Sequence, residues 1–216
     1  MGGDKMTHDN VKFLDKLHDP NFIFELPWFY NNKYALRCEL GIGTDDKEYM
    51  DNAYKRAVEI FNIVFDKKPD LYFFDACIYD YSCVSAMGFK TNIGVMVRAY
   101  KEELKDLAFL QRNCREMVKV NITLDDIEED MMGRNRFFVY TDKKKIDFDK
   151  ILKWEVTNAW HYVHFVSLDD ECIFSIYDDR GLDIVFTSKE KGKPFYEKLK
   201  PYLLEYDIER MKKTFE

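Results

Sequence analysis

Between Thr44 and Phe65 the apolar residues Tyr49, Met50, Ala53, Ala57, Ile60, Phe61 and Val64 recur at steps of three and four, the period of one helix face. Asp45 stands where an N-cap belongs and Glu48 follows three residues later, which predicts a helix opening on a capping box. At 1.5 Å per residue, about 20 residues make a rod of about 30 Å, long enough to cross a sheet. Upstream, "VKFLDKLH" has helical spacing and stops at Asp19-Pro20, because the residue before proline is pushed out of the α region. "YALRCELGI" (34–42) instead alternates with period two, a strand that places Arg37 and Glu39 on one face.

Downstream, "DLYFFDACIYDY" (70–81) is aromatic and β-rich and predicts a strand. Residues 82–99 carry Gly88 and Gly94 and show no clean period. "KEELKDLAFLQRN" predicts a helix, "REMVKVNI" a strand, "TLDDIEEDMM" a short helix capped by Thr123, "RFFVYT" a strand and "DFDKILKWEV" a short helix. The last third reads most plainly. "HYVHFVSL", "CIFSIY" and "LDIVF" are strand-like runs separated by "DDE" and "DDRG", the spacing and turn chemistry of an antiparallel meander. "KEKGKPFYEKLKPYLLEYDIERMKKTF" predicts terminal helices interrupted at Pro194 and Pro201.

These elements define an α+β protein: a largely antiparallel sheet with a C-terminal three-stranded meander, a long first helix and terminal helices packed on it. The expected organisation is a single domain over residues 1–216. Its core segments are about 20–82 and 150–216, and the middle segment, 83–149, is an insertion or subdomain.

Composition narrows the function. A chain of 216 residues buries roughly 70% of its unfolded surface and folds without disulfides or a metal. The five cysteines lack C-x-x-C spacing and read as reduced thiols of a cytoplasmic protein. A net charge of -7 argues against nucleic acid as a partner, which demands excess Lys and Arg. No window approaches a membrane span, and "MGGDKMTHDN" has neither the apolar core of a secretory signal nor Ser or Thr at position 6 for myristoylation.

Several chemistries fail on spacing. His161 and His164 form H-x-x-H, but residues three apart on a strand point to opposite sides, so no shared zinc is expected. Cys38 and Cys172 lie within strands, where a small buried hydrophobe is the ordinary role. Asp70 with Glu103 and Lys105 imitates a nuclease acid pair and lysine, with the second element on a helix rather than a strand. "ELGIGTDD" lacks the lysine of a P-loop and the third glycine of a dinucleotide fingerprint, and no G-x-S-x-G elbow is present. No cofactor and no metal is expected.

"IYDDRGLDIVF" is the most charged part of the meander. Its aspartates suit a tight turn in which a side chain accepts from the backbone two residues on, with Gly181 supplying a positive φ and Arg180 forking onto a carboxylate. Asp183, just inside the next strand, conflicts with β-propensity. "IYDDRGLDIVF" with "YLLEYDIERMKKTF", together with "FYNNKYALRCELG" and "YKRAVEIFNIVF", resembles an uncharacterised bacterial domain family. That family is marked by a C-terminal YDDRG-LD box, a terminal L-x-Y-D segment and an N-terminal R-x-E-L-G strand. The resemblance covers about residues 28–80 and 160–215 and implies a bacterial protein without a known activity.

One constellation remains: Arg37, Glu39, Asp178, Asp179, Arg180 and Asp183. If the first strand pairs beside the final hairpin, these residues form one charged cluster. Three readings fit it: an ion-pair network that fixes register, a polar site with carboxylates as general base or metal ligands, or an acidic surface for a basic partner. The leading expectation is a non-catalytic protein-binding module, of the kind that inhibits a basic toxin as an immunity protein does. The alternative is a metal-assisted hydrolase using Asp178, Asp179 and Asp183.

Overall fold

The structure, a computed structural model, describes residues 27–65, 71–79, 117–120, 132–140, 148–158, 163–167 and 169–216. The predicted helices at 11–18, 101–113 and most of 123–132 lie outside these residues, as do His161, Asp70, Glu103 and Lys105. The chain forms two compact units, residues 1–72 with 147–216 and residues 73–146. The fold is α+β.

In the first unit, strand β1 (Ala35–Glu39) lies beside β7 (Gly181–Phe186), then β6 (Cys172–Asp178) and β5 (Val163–Ser167), every neighbouring pair antiparallel. The meander expected from "DDE" and "DDRG" is β5-β6-β7. The second unit holds most of β2 (Leu71–Tyr79), then β3 (Met117–Val120) and β4 (Met132–Tyr140), with β3 and β4 antiparallel. Strand β4 begins earlier than "RFFVYT" suggests.

One face of the first unit's sheet is aromatic and aliphatic, from Leu36 and Cys38 across Leu182, Ile184 and Phe186 to Cys172, Phe174 and Phe165. Helix α2 (Asp46–Val64) packs its predicted stripe there, together with α3 (Phe148–Asn158). Phe61 is the hub, with ring centroids 5.1 Å from Phe165, 5.6 Å from Phe174 and 5.8 Å from Phe148. Each such burial is worth about 1.5–3 kcal/mol, and edge-to-face geometry adds about 0.5–1.5 kcal/mol. The helix start follows the sequence with one adjustment. Asp45 accepts from the Lys47 and Glu48 amides at 3.1 and 3.0 Å, while Glu48 reaches back to the amide of Thr44, at 3.3 Å, rather than to that of the cap residue.

The predicted interruption at Pro194 does not occur. Helix α4 (Lys189–Leu199) runs through it. A proline removes one helical hydrogen bond, and this loss is outweighed by burial of Phe195, Tyr196 and Leu199, with Phe195 stacked on Phe186 at 5.3 Å. Pro201 does mark a stop, in a short 3₁₀ turn (Lys200–Tyr202); a second such turn (Glu205–Asp207) leads into α5 (Ile208–Phe215).

The outer edge of β1 is sealed by this C-terminal stretch. The Leu204 amide donates to the Arg37 carbonyl at 2.9 Å, and Leu203 bridges Cys38. The Arg37 amide points at Met211 Sδ, and Arg56 Nε donates to the Glu39 carbonyl at 2.9 Å. An edge so occupied offers no free ladder to another chain.

Candidate functional site

On the second face of the sheet the register aligns one residue from each of four strands. Arg37 of β1 lies opposite Asp183 of β7, Asp183 opposite Ser175 of β6, and Ser175 opposite His164 of β5. Directly paired residues share a face, so these four form a polar row across the sheet. Arg37 forks onto Asp183 through Nε at 2.8 Å and Nη2 at 2.9 Å. His164 Nδ1 and Ser175 Oγ share a hydrogen bond at 2.8 Å. His164, Ser175 and Asp183 are all buried.

A single helical turn, α1 (Trp28–Asn31), covers the row. Such a turn is too short to be stable alone. Its tethers run to the rest of the unit. The Phe29 amide donates to Asp183 Oδ2 at 3.1 Å, Arg210 Nη2 donates to the Tyr30 carbonyl at 3.1 Å, and Tyr30 Oη donates to Asp207 at 3.1 Å. Trp28 meets His164 edge-on at 5.3 Å. Phe29, Tyr30 and Tyr177 enclose the Arg37 guanidinium at 5.0, 4.5 and 4.9 Å. Burial opposes the charge on Arg37, but the hydrogen bonds and charge of Asp183 outweigh it and raise its pKa. Burial likewise pushes the Asp183 carboxyl up, and Arg37 with the Phe29 amide pulls it back in part.

The hairpin tip is a different environment. Asp178 Oδ1 accepts from the Arg180 amide at 2.8 Å, the side-chain turn that "DDRG" predicts, and Asp178 Oδ2 accepts from Arg180 Nε at 2.7 Å and from its Nη2. The Arg180 side chain is 74% exposed, so this pair contributes little beyond shaping the turn. Gly181 is needed for a reason other than the expected one: its φ is not positive. A Cβ there would stand 2.1 Å from Tyr177 Oη and 2.6 Å from the Cys38 carbonyl, and only hydrogen fits.

Beyond the tip, the Leu40 amide donates to the Arg180 carbonyl at 2.8 Å, which holds the 40–44 loop against the hairpin. Tyr49 lies over Gly41, where a Cβ would be 2.0 Å from the tyrosine ring. Asn52 Nδ2 donates to the Ile42 carbonyl at 2.8 Å. The loop is thus pinned with Ile42 pointing outward, 40% exposed. Burial raises the pKa of Tyr49, and the nearby charges of Asp179, Asp178 and Glu39 add to that rise.

The six cluster residues therefore divide. Arg37 and Asp183 form a buried pair, Asp178 and Arg180 a turn at the surface, and Glu39 and Asp179 flank the 40–44 loop. The carboxylates Asp178, Asp179 and Asp183 do not converge. Among the described residues, no three His, Cys, Asp or Glu side chains are grouped to hold a metal ion, and no helix is long and apolar enough to cross a membrane. Cys38 and Cys172 are buried, and burial raises the pKa of both thiols. The sequence reading missed Ser175, Tyr30, Tyr177 and Asp207. Only part of the row was signalled: Asp183 is the lone polar residue of β7, whereas β5 carries Ser167 as well as His164 and β6 carries Asp178 as well as Ser175.

The fold and site define an α+β domain whose first strand pairs with its last hairpin through a buried arginine–aspartate pair. The chain belongs to the family described as Domain of unknown function (DUF3885), whose model matches residues 12–207. No curated protein and no solved structure matches the chain.

Proposed function

We propose that the protein is a binding module that captures a basic protein partner where the hairpin tip, the 40–44 loop and the first turn of α2 meet, and that it acts as an immunity-type inhibitor of a toxin. The observation that carries this reading is the pinned, outward Ile42, with exposed Asp45, Asp46 and Glu48 on one side and Glu39 and Asp179 on the other. Lys47 stands exposed among them, a single cation against five carboxylates, and the Arg180 guanidinium at the hairpin tip is occupied by Asp178. An apolar knob on a rigid loop supplies a desolvated anchor, and a ring of carboxylates supplies steering toward a cationic surface. The net charge of -7 favours the same encounter over the whole chain.

The test is titration calorimetry and stopped-flow association with the toxin encoded beside this protein's gene. Asp46→Lys with Asp179→Lys is expected to slow association about tenfold at low salt and much less at high salt. Ile42→Asp is expected to speed dissociation instead. Absence of both binding and protection would sink the reading.

A further inference from the structure

Glu155 is the least explained side chain of the first unit. It sits on α3 between the buried residues Ile151, Leu152 and Val156, is itself 1% exposed, and neither carboxylate oxygen makes a hydrogen bond. Both sheet strands beneath α3 turn apolar side chains toward it. From β5 these are Val163 and Phe165; from β6 they are Phe174, Ile176 and the buried thiol of Cys172. Among the described residues, α2 brings up Tyr54, whose ring lies 5.7 Å below Lys153 Nζ, and the aromatic hub Phe61. His164 belongs to the opposite face. No cation therefore faces Glu155 from α2, β5 or β6 among the described residues. Burial drives its pKa well above the ordinary carboxylate value, and the Val163 backbone amide, close to the carboxyl but outside hydrogen-bond geometry, offsets only part.

An ionised carboxylate without partners is far too costly in such a place, so the group keeps its proton. A leucine or methionine of similar size would avoid the penalty entirely, and unsatisfied buried groups of this kind are rare in native folds.

We propose that Glu155 is a proton-operated latch: with its proton, α3 lies flat on β5 and β6, and loss of the proton pries α3 from the sheet. The sign follows from linkage. Above the unfolded-state value near 4.5 the unfolded chain has lost this proton while the folded chain retains it, so rising pH draws the protein toward the open or unfolded state. The dependence of one proton corresponds to about a tenfold fall in the folding constant per pH unit, until the folded state itself lets the proton go.

The experiment compares wild type with Glu155→Gln, which has the shape of the neutral acid and cannot ionise. Urea denaturation from pH 5 to pH 9 is expected to show the wild type losing ground to the variant as pH rises, by up to about tenfold per unit. Parallel profiles would overturn the proposal. A second reading does not depend on the variant's stability: the carboxyl ¹³C resonance absent from the Glu155→Gln spectrum is expected to be in its protonated position at pH 6. A resonance titrating with the ordinary glutamates would equally overturn it. Hydrogen exchange locates the motion. Loss of protection at high pH, measured against the intrinsic base-catalysed rate and confined to α3 and β5, supports the latch, and a uniform loss of protection refutes local opening.

Discussion

Asp183→Asn removes one charge from the buried pair while leaving an oxygen for the Phe29 amide. The unneutralised group is then the Arg37 guanidinium, whose side chain is only 11% exposed. Removing one member of a buried pair costs about 3–5 kcal/mol, because the remaining charge stays desolvated. Three aromatic faces cushion this cation, each worth about 0.5–2 kcal/mol, which places the expected loss near the lower end, about 3 kcal/mol. For a chain of this length that corresponds to a fall in Tm of about 6–12 °C. Asp183→Ala should cost about 1–3 kcal/mol more, since it also strands the Phe29 amide. The double variant Arg37→Met, Asp183→Leu is expected to recover most of the loss, because apolar replacements of buried pairs are often near neutral. Urea unfolding followed by tryptophan fluorescence, run as a double-mutant cycle, reads all four states. A Tm drop below about 2 °C for Asp183→Asn, or strict additivity in the cycle, would refute the assignment of this pair as the clasp between β1 and β7.

Two further outcomes follow from the packing. Gly181→Ala should destabilise by about 2 kcal/mol or more, and adding Tyr177→Phe should relieve only part of it, because the Cys38 carbonyl at 2.6 Å is backbone and cannot turn aside; thermal melts of both variants decide this. Cys38 and Cys172 should resist alkylation in the native state at neutral pH and react only after denaturation, since burial both shields each thiol and holds it protonated; mass spectrometry of iodoacetamide-treated protein reads the difference.

Much of the fold was legible because local signals and tertiary demands agree. The stripe of α2 and its Asp45 cap were visible because helical period and capping chemistry need no knowledge of the partner. The meander was visible because β5, β6 and β7 are consecutive. The DDRG turn declared its side-chain-to-backbone bond but misdirected on Gly181, since a glycine in a turn is read first as a conformational need. Here the need is room for Tyr177 and a carbonyl, which only the folded chain supplies. Pro194 misled in the opposite way: helix propensity forbids it, and the packing of Phe195 and Tyr196 overrides propensity. The β-hostile Asp183 was a real conflict, and the structure resolves it with Arg37. What no local signal carried was the alignment of Arg37, Asp183, Ser175 and His164, which depends on strand order and register between distant segments.

The clasp between β1 and β7 joins residues 146 positions apart. A ribosome adding about 5–20 residues per second therefore exposes Arg37 for roughly 7–30 s before Asp183 has been made, and somewhat longer before Leu204 arrives to close the outer edge. Through that interval the first strand has neither neighbour, and its arginine has no carboxylate of its own. Non-local pairing of this kind is paid for in waiting time during folding. A nascent chain stalled between the two strands would present a bare, ladder-ready edge to the next chain on the same message, so the vulnerable moment for this protein lies in its synthesis rather than in its finished state.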